Sequence, residues 1–353
     1  MRLSSISRLS KPLFLFVLLL GLAQVSKAQP YGAWLTLQGR PVHGYVEVPH
    51  SAALNPTGAI TIEAWVNVSD SGSCSSIVGK NYLQSYWVGI CGTTLRAYFR
   101  GGSSAHNAGV VPAGRWTHIA VVFDGSTQKH YINGELIQSF PAGGPPTTST
   151  SPLRIGSDVS WTFTPVGSID EVRIWNVART VSQIRSAINV PITTAQPGLV
   201  SVWGLNGNAN DPVGGHNGSV GGSGVNYFTF PVAISCGSST ATSLCLDGRF
   251  AVSIQFRTGA PGTAQGTAQT VPFTTSNSGL FWFFSSTNWE VMVKTLNGCS
   301  LNNRYWVFSA ATTNVFYRME VFDIRAGVNK VYFNYPGPPA PAVTDTSAFA
   351  TCP

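Results

Sequence analysis

The chain has 353 residues and a formal net charge of +7, with 21 Lys and Arg against 14 Asp and Glu. Charged residues make up only 10% of the chain, whereas an ordinary soluble domain has about 25%. Hydrophobic residues make up 43%, which supplies a packed core and excludes global disorder.

Residues 1–28 have the features of a secretory signal peptide. Basic residues precede an apolar run at residues 13–22, and Ser26 and Ala28 place small side chains before a cleavage site after Ala28. The run is too short to cross a bilayer as a helix, which disfavours the alternative of a retained membrane anchor. Cleavage removes four basic and no acidic residues and leaves a net charge of +3, which is not typical of a nucleic-acid-binding protein. We therefore expect a soluble protein that is extracellular, periplasmic or held at the cell surface.

Strand signals dominate the next part of the chain. Residues 60–68 alternate strictly, with Ile62 and Val66 on one face and Glu63 and Trp65 on the other. Asn133-Gly134 lies between two apolar segments, which predicts a two-residue hairpin turn. A brief helix is predicted at residues 178–189. Further strands are predicted at residues 85–90, 95–100, 117–123, 129–132 and 169–175.

A domain boundary is expected near residue 230. Residues 208–224 are rich in Gly and Asn and are therefore turn-like, and the chain is long for one domain. We predict one domain at residues 29–230 and a second at residues 231–353. The second domain has the pattern of a small antiparallel β-sandwich with strands at residues 249–257, 279–284, 289–296, 304–309, 314–322 and 330–335. Within it, residues 281–284 (Phe-Trp-Phe-Phe) predict a strand buried on both faces, and an apolar partner site is the alternative.

The six cysteines predict structural disulfides, because an even number in an exported chain favours pairing. The spacing lacks the C-x-x-C pairs and Cys/His clusters of a metal centre. Two cysteines stand alone in the first half and should pair with each other, and four follow residue 230. Of the possible connectivities we favour Cys74–Cys91, Cys236–Cys245 and Cys299–Cys352.

Five motifs in the first domain occur in the order found in a known family. They lie at residues 45–49 with 54–66, 115–125, 131–135, 167–180 and 199–205. The combination resembles a laminin-G-like, concanavalin A-like jelly-roll domain covering about residues 33–225, and it implies an all-β jelly-roll sandwich. The second domain resembles a C-terminal domain of secreted bacterial proteins with no assigned activity, which implies bacterial export.

Concanavalin A-like folds include glycoside hydrolases. Whether catalysis is expected therefore depends on the positions of the acidic residues. Those hydrolases carry two Glu and an Asp that alternate on one strand face. Asp170 and Glu171 are adjacent, so they are expected on opposite faces of a strand, which argues against that chemistry. A Ser-His-Asp triad is compatible with the sequence, yet no G-x-S-x-G motif is present and His118 is expected to be structural. We therefore predict a protein that is not an enzyme.

The same resemblance implies a calcium ion in many members. Asp211 matches the family's Asp after the closing strand, and Asp170 lies at a matched position late in the domain. Calcium prefers several oxygen ligands, which the Asn- and Asp-rich loop at residues 208–212 offers. The alternative is that both carboxylates accept hydrogen bonds within turns.

A glycan site requires aromatic rings for stacking and polar side chains for hydroxyl groups. Tyr86, Arg96, Tyr98 and Arg100 provide them, and the last three share one strand face by alternation. The alternative is that one ring of each neighbouring aromatic pair, Tyr86-Trp87 and Tyr98-Phe99, packs in the core and the other covers a sheet surface.

Taken together, these features predict a secreted, non-catalytic recognition protein that binds carbohydrate, with calcium as a structural ion. The alternative is an extracellular adhesion or scaffold protein that binds another protein. A cryptic glycoside hydrolase is the third hypothesis.

Overall fold

The computed structural model describes residues 33–353 except 70–71, 100–104, 143, 145, 161, 230–234, 262, 264, 273–274 and 338–339. The predicted signal peptide therefore lies outside the described residues. Within the described part of the chain, no helix is long and apolar enough to cross a membrane.

Strands dominate the first part of the chain, as its alternating pattern predicts. A 3-10 turn lies at Ala52–Leu54 and a helix, α1, at Val181–Ala187. The strands are β1 (Ala33–Gln38), β2 (Tyr45–Val48), β3 (Ile60–Val68), β4 (Cys74–Gly79), β5 (Tyr86–Cys91), β6 (Thr94–Phe99), β7 (His106–Val110), β8 (Thr117–Phe123), β9 (Thr127–Ile132), β10 (Glu135–Pro141), β11 (Leu153–Ile155), β12 (Val166–Trp175), β13 (Leu199–Trp203), β14 (Ser219–Gly221) and β15 (Val225–Thr229).

The second part of the chain is also built from strands. The six predicted strands correspond to β17 and β20–β24 below, with ends displaced by a few residues, whereas the sequence patterns do not predict β16, β18, β19 and β25. The elements are β16 (Leu244–Leu246), β17 (Phe250–Arg257), β18 (Gly266–Thr267), β19 (Gln269–Thr270), β20 (Ser278–Trp282), β21 (Val291–Asn297), α2 (Cys299–Asn302), β22 (Tyr305–Ala311), β23 (Phe316–Asp323), β24 (Val328–Asn334) and β25 (Val343–Phe349).

The strands form four antiparallel sheets. Sheet I has the order β10-β9-β8-β3-β12-β1-β15, with β13 paired to β12, and sheet II has the order β14-β2-β11-β4-β5-β6-β7. Sheet III has the order β16-β17-β23-β24, with β18 paired to β17, and sheet IV has the order β19-β20-β21-β22-β25. Sheets I and II enclose one apolar core, and sheets III and IV enclose another. The predicted all-β fold, a jelly-roll sandwich followed by a smaller sandwich, is confirmed.

Strand β3 shows how alternation builds the first core. Ile62 and Val66 point into the core between sheets I and II, as predicted. Glu63 and Trp65 point to the opposite face, yet they are only 0% and 1% exposed. The outward face of sheet I is therefore covered by a further layer of the molecule.

That layer consists of the segment around α1 and of sheet III. Trp65 and Trp116 of the first sandwich form one apolar cluster with Val331 of β24. The Glu135 carboxylate accepts two hydrogen bonds from Arg257 Nη2, at 2.7 and 2.6 Å. The two sandwiches therefore stack with the outward faces of sheets I and III together, and the outward faces of sheets II and IV lie at the two ends of the stack.

Local signals in the sequence set two connections correctly. Asn133 and Gly134 have φ values of 50° and 74°, the paired positive values of a type I′ hairpin turn between β9 and β10. Helix α1 is shorter than predicted because Thr180 caps it. The Thr180 hydroxyl accepts a hydrogen bond from the backbone amide of Gln183, and the Gln183 side chain accepts one from the backbone amide of Thr180.

The three favoured disulfides are confirmed as Cys74–Cys91, Cys236–Cys245 and Cys299–Cys352. Cys74 and Cys91 lie directly opposite each other in the β4–β5 ladder. The third bond ties the end of the chain to α2. No cysteine within the described residues is free.

Candidate functional site

The outward face of sheet II carries an aromatic cluster. The ring of Tyr82 lies 4.4 Å from that of Tyr98 and 5.9 Å from that of Trp87, and the latter two rings are 5.5 Å apart. The Trp87 indole donates a hydrogen bond to Ser76 Oγ at 2.8 Å. A Cβ atom on Gly89 would lie 2.2 Å from the indole, so the glycine provides the space in which the ring lies flat.

Tyr82 lies on a tight loop between β4 and β5 whose shape depends on Asn81. Asn81 adopts a positive φ of 68° and its side chain accepts from the Leu83 amide at 3.1 Å. The same side chain donates to Ser151 Oγ at 3.0 Å, and the Tyr82 amide donates to Asp158 Oδ1 at 3.0 Å. The loop is thus held from both sides, and Tyr82 has a fixed position, half-buried, above the cluster.

Basic side chains flank this aromatic cluster. Arg96 is half-buried beside the Cys74–Cys91 disulfide, and its guanidinium lies 6.0 Å from the Tyr98 ring. Arg154 forms an ion pair with Glu47 at 2.7 Å and stacks 4.0 Å above the Tyr45 ring. This sheet face therefore combines aromatic surface with hydrogen-bond donors, the two features that recognition of a sugar requires.

Next to the loop, Lys80 places a buried amine near this face. Its Nζ donates to the Ser151 carbonyl at 2.8 Å and lies 3.3 Å from His50 Nδ1. Burial lowers the pKa of Lys80 to about 8, because the charged amine is removed from water without a carboxylate as a partner. Lys80 acts here as a fixed hydrogen-bond donor.

The predicted ligand residues fall in different places. Arg96 and Tyr98 share the outward face of β6, as predicted, although Tyr98 is only 3% exposed. Tyr86 points the other way: it is fully buried in the first core and its hydroxyl donates to the Leu54 carbonyl at 3.0 Å. Its assignment to a ligand-binding face is therefore corrected to a core role. Arg100 lies outside the described residues.

Trp87 and Tyr82 belong to the aromatic cluster, although the sequence patterns do not predict them as site residues. Trp87 lies opposite Tyr98 in the β5–β6 ladder, whereas Tyr86 lies opposite Phe99, so the two neighbours point to opposite faces. The glycine two residues after Trp87 is the available signal, since it leaves room for an indole on that face. Nothing in the local pattern identifies Tyr82, because its position depends on Asp158 across the sheet.

Neither predicted calcium ligand has the surroundings of a calcium site. Asp211 Oδ1 accepts from the amides of Val202, Val213 and Gly214 at 2.9–3.2 Å, so this carboxylate organises its own turn. Asp170 is fully buried, and within the described part of the chain no side chain donates a hydrogen bond to either of its oxygens. Among the described residues, no group of three His, Cys, Asp or Glu side chains is arranged to hold a metal. The Asp211 carboxylate thus accepts hydrogen bonds within its turn, as the alternative expects, and calcium binding stays a prediction.

A β-bulge changes the expected geometry of Asp170 and Glu171. The β3–β12 register shifts between Asp170 and Arg173, and Glu171 takes a positive φ of 49°. Burial and the nearby charge of Glu171 raise the pKa of Asp170 well above its usual range. The expectation of two independent, opposite faces is therefore wrong, but both carboxylates are buried and do not border an open groove.

A buried charge network lies on the outward face of sheet I. Glu63 forms ion pairs with Arg179 and, at 3.7 Å, with Arg173, and its Oε2 lies 3.5 Å from His118 Nε2. Burial alone would raise the pKa of Glu63, but the contact with His118 and the two guanidinium groups lower it to about 2. His118 is 1% exposed and pairs with this carboxylate inside the molecule, which agrees with the expected structural role.

The structure also brings together a serine, a histidine and an aspartate. His216 Nε2 lies 3.0 Å from Ser51 Oγ, while its Nδ1 lies 2.7 Å from Ser201 Oγ and 3.4 Å from Asp211 Oδ2. Ser51 Oγ also accepts from the Ala53 amide as the cap of the 3-10 turn. The imidazole is thus held by two serines, and the arrangement pins the 3-10 turn to β13.

The outward face of sheet IV is apolar. Met292 is 47% exposed, and Trp282, Trp306 and Phe308 are half-buried. Phe284 is 54% exposed but lies beyond β20, with its ring 5.2 Å from that of Phe256 in sheet III. Phe281 and Phe283 are buried on the other side. The prediction that residues 281–284 form a strand buried on both faces is therefore wrong, because nothing among the described residues covers the outer side.

Part of the chain matches a known protein family. Residues 39–185 match the family model described as the Concanavalin A-like lectin/glucanases superfamily, of the laminin G type. A "putative carbohydrate binding protein" from Bacteroides ovatus is 22% identical with a TM-score of 0.47, over 59% of this chain and 63% of that one. This chain thus spans less than two thirds of that protein's length.

Two further solved structures are similar. A pentraxin of the SAP-like type from Limulus polyphemus is 13% identical with a TM-score of 0.42, over 57% of this chain and 97% of that one. Domains LG4-5 of the mouse laminin α1 chain are 10% identical with a TM-score of 0.35, over 92% and 84%. No curated protein matches the chain.

Proposed function

We propose that this chain, in which residues 39–185 form a laminin-G-like domain of the concanavalin A-like superfamily, binds carbohydrate through the outward face of sheet II. The observation that carries the proposal is the cluster of Tyr82, Trp87 and Tyr98 beside Arg96. It lies on the face of the first sandwich that the second sandwich does not cover.

The exposed fraction of each ring indicates how that ring contributes to binding. Trp87 and Tyr98 are 1% and 3% exposed, so they support the ring of Tyr82 from below. Tyr82 is half-buried and offers its remaining surface to the C–H face of a sugar. Arg96 provides guanidinium donors for hydroxyl or carboxylate oxygens at one side.

Carbohydrate binding without catalysis fits the remaining features. The acidic residues considered for hydrolysis, Asp170 and Glu171, are buried under the α1 segment. Three disulfides together with a laminin-G-like domain are consistent with an extracellular location. We propose that the protein is secreted and acts there as a non-catalytic recognition module.

The test is a binding screen of the full, disulfide-bonded chain against immobilised polysaccharides and glycans, with calcium and with chelator. Binding should be weakened about 5- to 30-fold in Tyr82→Ala and Arg96→Ala, since each removes a contact worth about 1–2 kcal/mol. Arg304→Ala is the matched control, because this half-buried arginine precedes β22 in the other sandwich. Binding that is unchanged in both site variants would contradict the proposal.

A second candidate function is binding to another protein through the outward face of sheet IV. The observation that favours it is the apolar surface of Met292, which is 47% exposed, beside the half-buried Trp306 and Phe308. Met292→Lys would abolish such an association and leave glycan binding by sheet II unchanged. Pull-down experiments with wild-type and variant chains distinguish the two functions.

A further inference from the structure

A second site, separate from the aromatic face, lies where the two sandwiches meet. A cavity of about 480 Å³ opens between Arg115 of the first sandwich and the outward face of β17 in sheet III. A neighbouring cavity of about 310 Å³ is also lined by Arg115 and borders the Glu135–Arg257 pair. The larger volume lies within the range of about 300–1,000 Å³ that is usual for small-molecule sites.

The side chains that line the larger cavity are mostly neutral and polar. Ser253 and Gln255 come from β17, and Thr242 and Ser243 come from the loop closed by the Cys236–Cys245 disulfide. Hydroxyl and amide groups of this kind orient the hydroxyls of a small ligand. The disulfide fixes the loop that carries two of them.

Three polar side chains at the cavity have no hydrogen-bond or ion-pair partner within the described part of the chain. The Arg115 guanidinium makes no hydrogen bond or ion pair there, and the side chains of Ser253 and Gln255 make no hydrogen bond. All three are half-buried and border the cavity. Because they are partly open to the cavity and have no partner in the described protein, they are available to bond to a polar ligand there.

The charge at the cavity is positive. Among neighbouring ionisable groups, Arg318 is paired with Glu320, and Arg257 is paired with Glu135. Burial lowers the pKa of Arg318, and the positive charge of Arg115 is close enough to lower it further. Among the residues that the structure describes, Arg115 has no carboxylate partner, and an anionic group entering the cavity would supply one.

We propose that this cavity binds a sugar acid, free or at the end of a glycan, whose carboxylate pairs with Arg115 and whose hydroxyls bond to Ser253 and Gln255. The site is independent of the proposed glycan face on sheet II. Because both sandwiches form its walls, the bound ligand also strengthens their contact.

The test is calorimetric titration of the full, disulfide-bonded chain with galacturonate, with digalacturonate and with galactose. We expect galacturonate to bind and galactose, which lacks the carboxylate, to bind at least about tenfold more weakly. Arg115→Gln should weaken galacturonate binding about 10–100-fold, the effect of removing one charged hydrogen-bonding partner. Stronger binding of digalacturonate than of the monomer would identify the end of a glycan as the ligand, and equal binding would identify the free acid.

Three control variants separate this cavity from the face on sheet II and from a loss of folding. Arg304→Gln, which changes a half-buried arginine just before β22 of sheet IV that does not line the cavity, should bind galacturonate like the wild type. Arg96→Ala should also bind it normally, even where it has lost binding to polysaccharide on sheet II. Ser253→Ala keeps the charge of Arg115 and should weaken binding a few fold, and circular dichroism confirms that each variant is folded.

The proposal fails if neither acid binds at millimolar concentration. It also fails if Arg115→Gln, shown to be folded, binds galacturonate as tightly as the wild type. If galacturonate binding is lost in Arg96→Ala but not in Arg115→Gln, the anion binds at sheet II, and the assignment to the cavity is overturned.

Discussion

The buried charge network on sheet I should make a large contribution to stability through Glu63. The variant Glu63→Gln keeps the shape of the side chain but removes the charge that faces Arg173 and Arg179. These arginines are 1% and 6% exposed, so the variant leaves Arg179 buried without its carboxylate partner, whereas Arg173 keeps its ion pair with Glu171 at 2.8 Å. Removing one partner of a buried ion pair costs about 3–5 kcal/mol.

The pKa of Glu63 gives an independent magnitude. It is lowered from 4.5 to about 2, and this shift corresponds to about 3 kcal/mol. The folded pKa lies below the unfolded value, so this stabilisation is complete above pH 4.5 and is lost as the pH falls through about 2. Both routes predict that Glu63→Gln lowers the free energy of unfolding at pH 7 by about 3 kcal/mol.

Urea denaturation, followed by tryptophan fluorescence, measures this effect. Trp65 is a suitable reporter because its ring lies 5.5 Å from that of His118, beside the network. Glu47→Gln is the matched control: its carboxylate is 37% exposed in a surface pair, so it should cost no more than about 1 kcal/mol. A Glu63→Gln variant as stable as Glu47→Gln, or one that keeps the wild-type acid dependence below pH 4.5, would refute the reasoning.

Three other outcomes are expected. His130 is fully buried, and burial lowers its pKa from 6.5 to about 4. The free energy of unfolding should therefore fall by about 3 kcal/mol as the pH drops across this window, and this loss should be absent in His130→Gln. Replacing both cysteines of the Cys299–Cys352 disulfide by serine should destabilise the chain more than the same change at Cys74–Cys91. Sequence separations of 53 and 17 predict losses of about 4 and 3 kcal/mol in chemical denaturation, and the reverse order would contradict the chain-entropy argument. An NMR titration of Lys80 should have its midpoint near pH 8, and a midpoint above pH 10 would show that the amine is solvated.

Much of the fold follows from local patterns. The alternation of residues 60–68 places Ile62 and Val66 in the core, and Asn133-Gly134 sets a hairpin through positive φ values that these residues tolerate. The cysteines pair as their clustering indicates. Strand β25 escapes prediction because its sequence, Val343–Phe349, is largely polar and is held by pairing with β22.

The candidate site is harder to predict, because it depends on which face of a strand each side chain occupies and on contacts between residues far apart in the sequence. A shift of one residue in a strand moves a side chain to the other face, and for this reason Trp87, not Tyr86, is the outward ring. Period-two reasoning also fails at Glu171, where a bulge breaks the alternation. The cavity around Arg115 joins residues more than 100 positions apart, and no local signal predicts such a meeting.

The measurement that tests carbohydrate recognition most directly is the affinity of wild-type, Tyr82→Ala and Arg304→Ala chains for the polysaccharide that binds best in the screen. Recognition at the outward face of sheet II predicts binding weakened about 5- to 30-fold in Tyr82→Ala and unchanged binding in Arg304→Ala. Equal affinity of all three chains, or no binding of any polysaccharide by the wild type, would contradict recognition at this face.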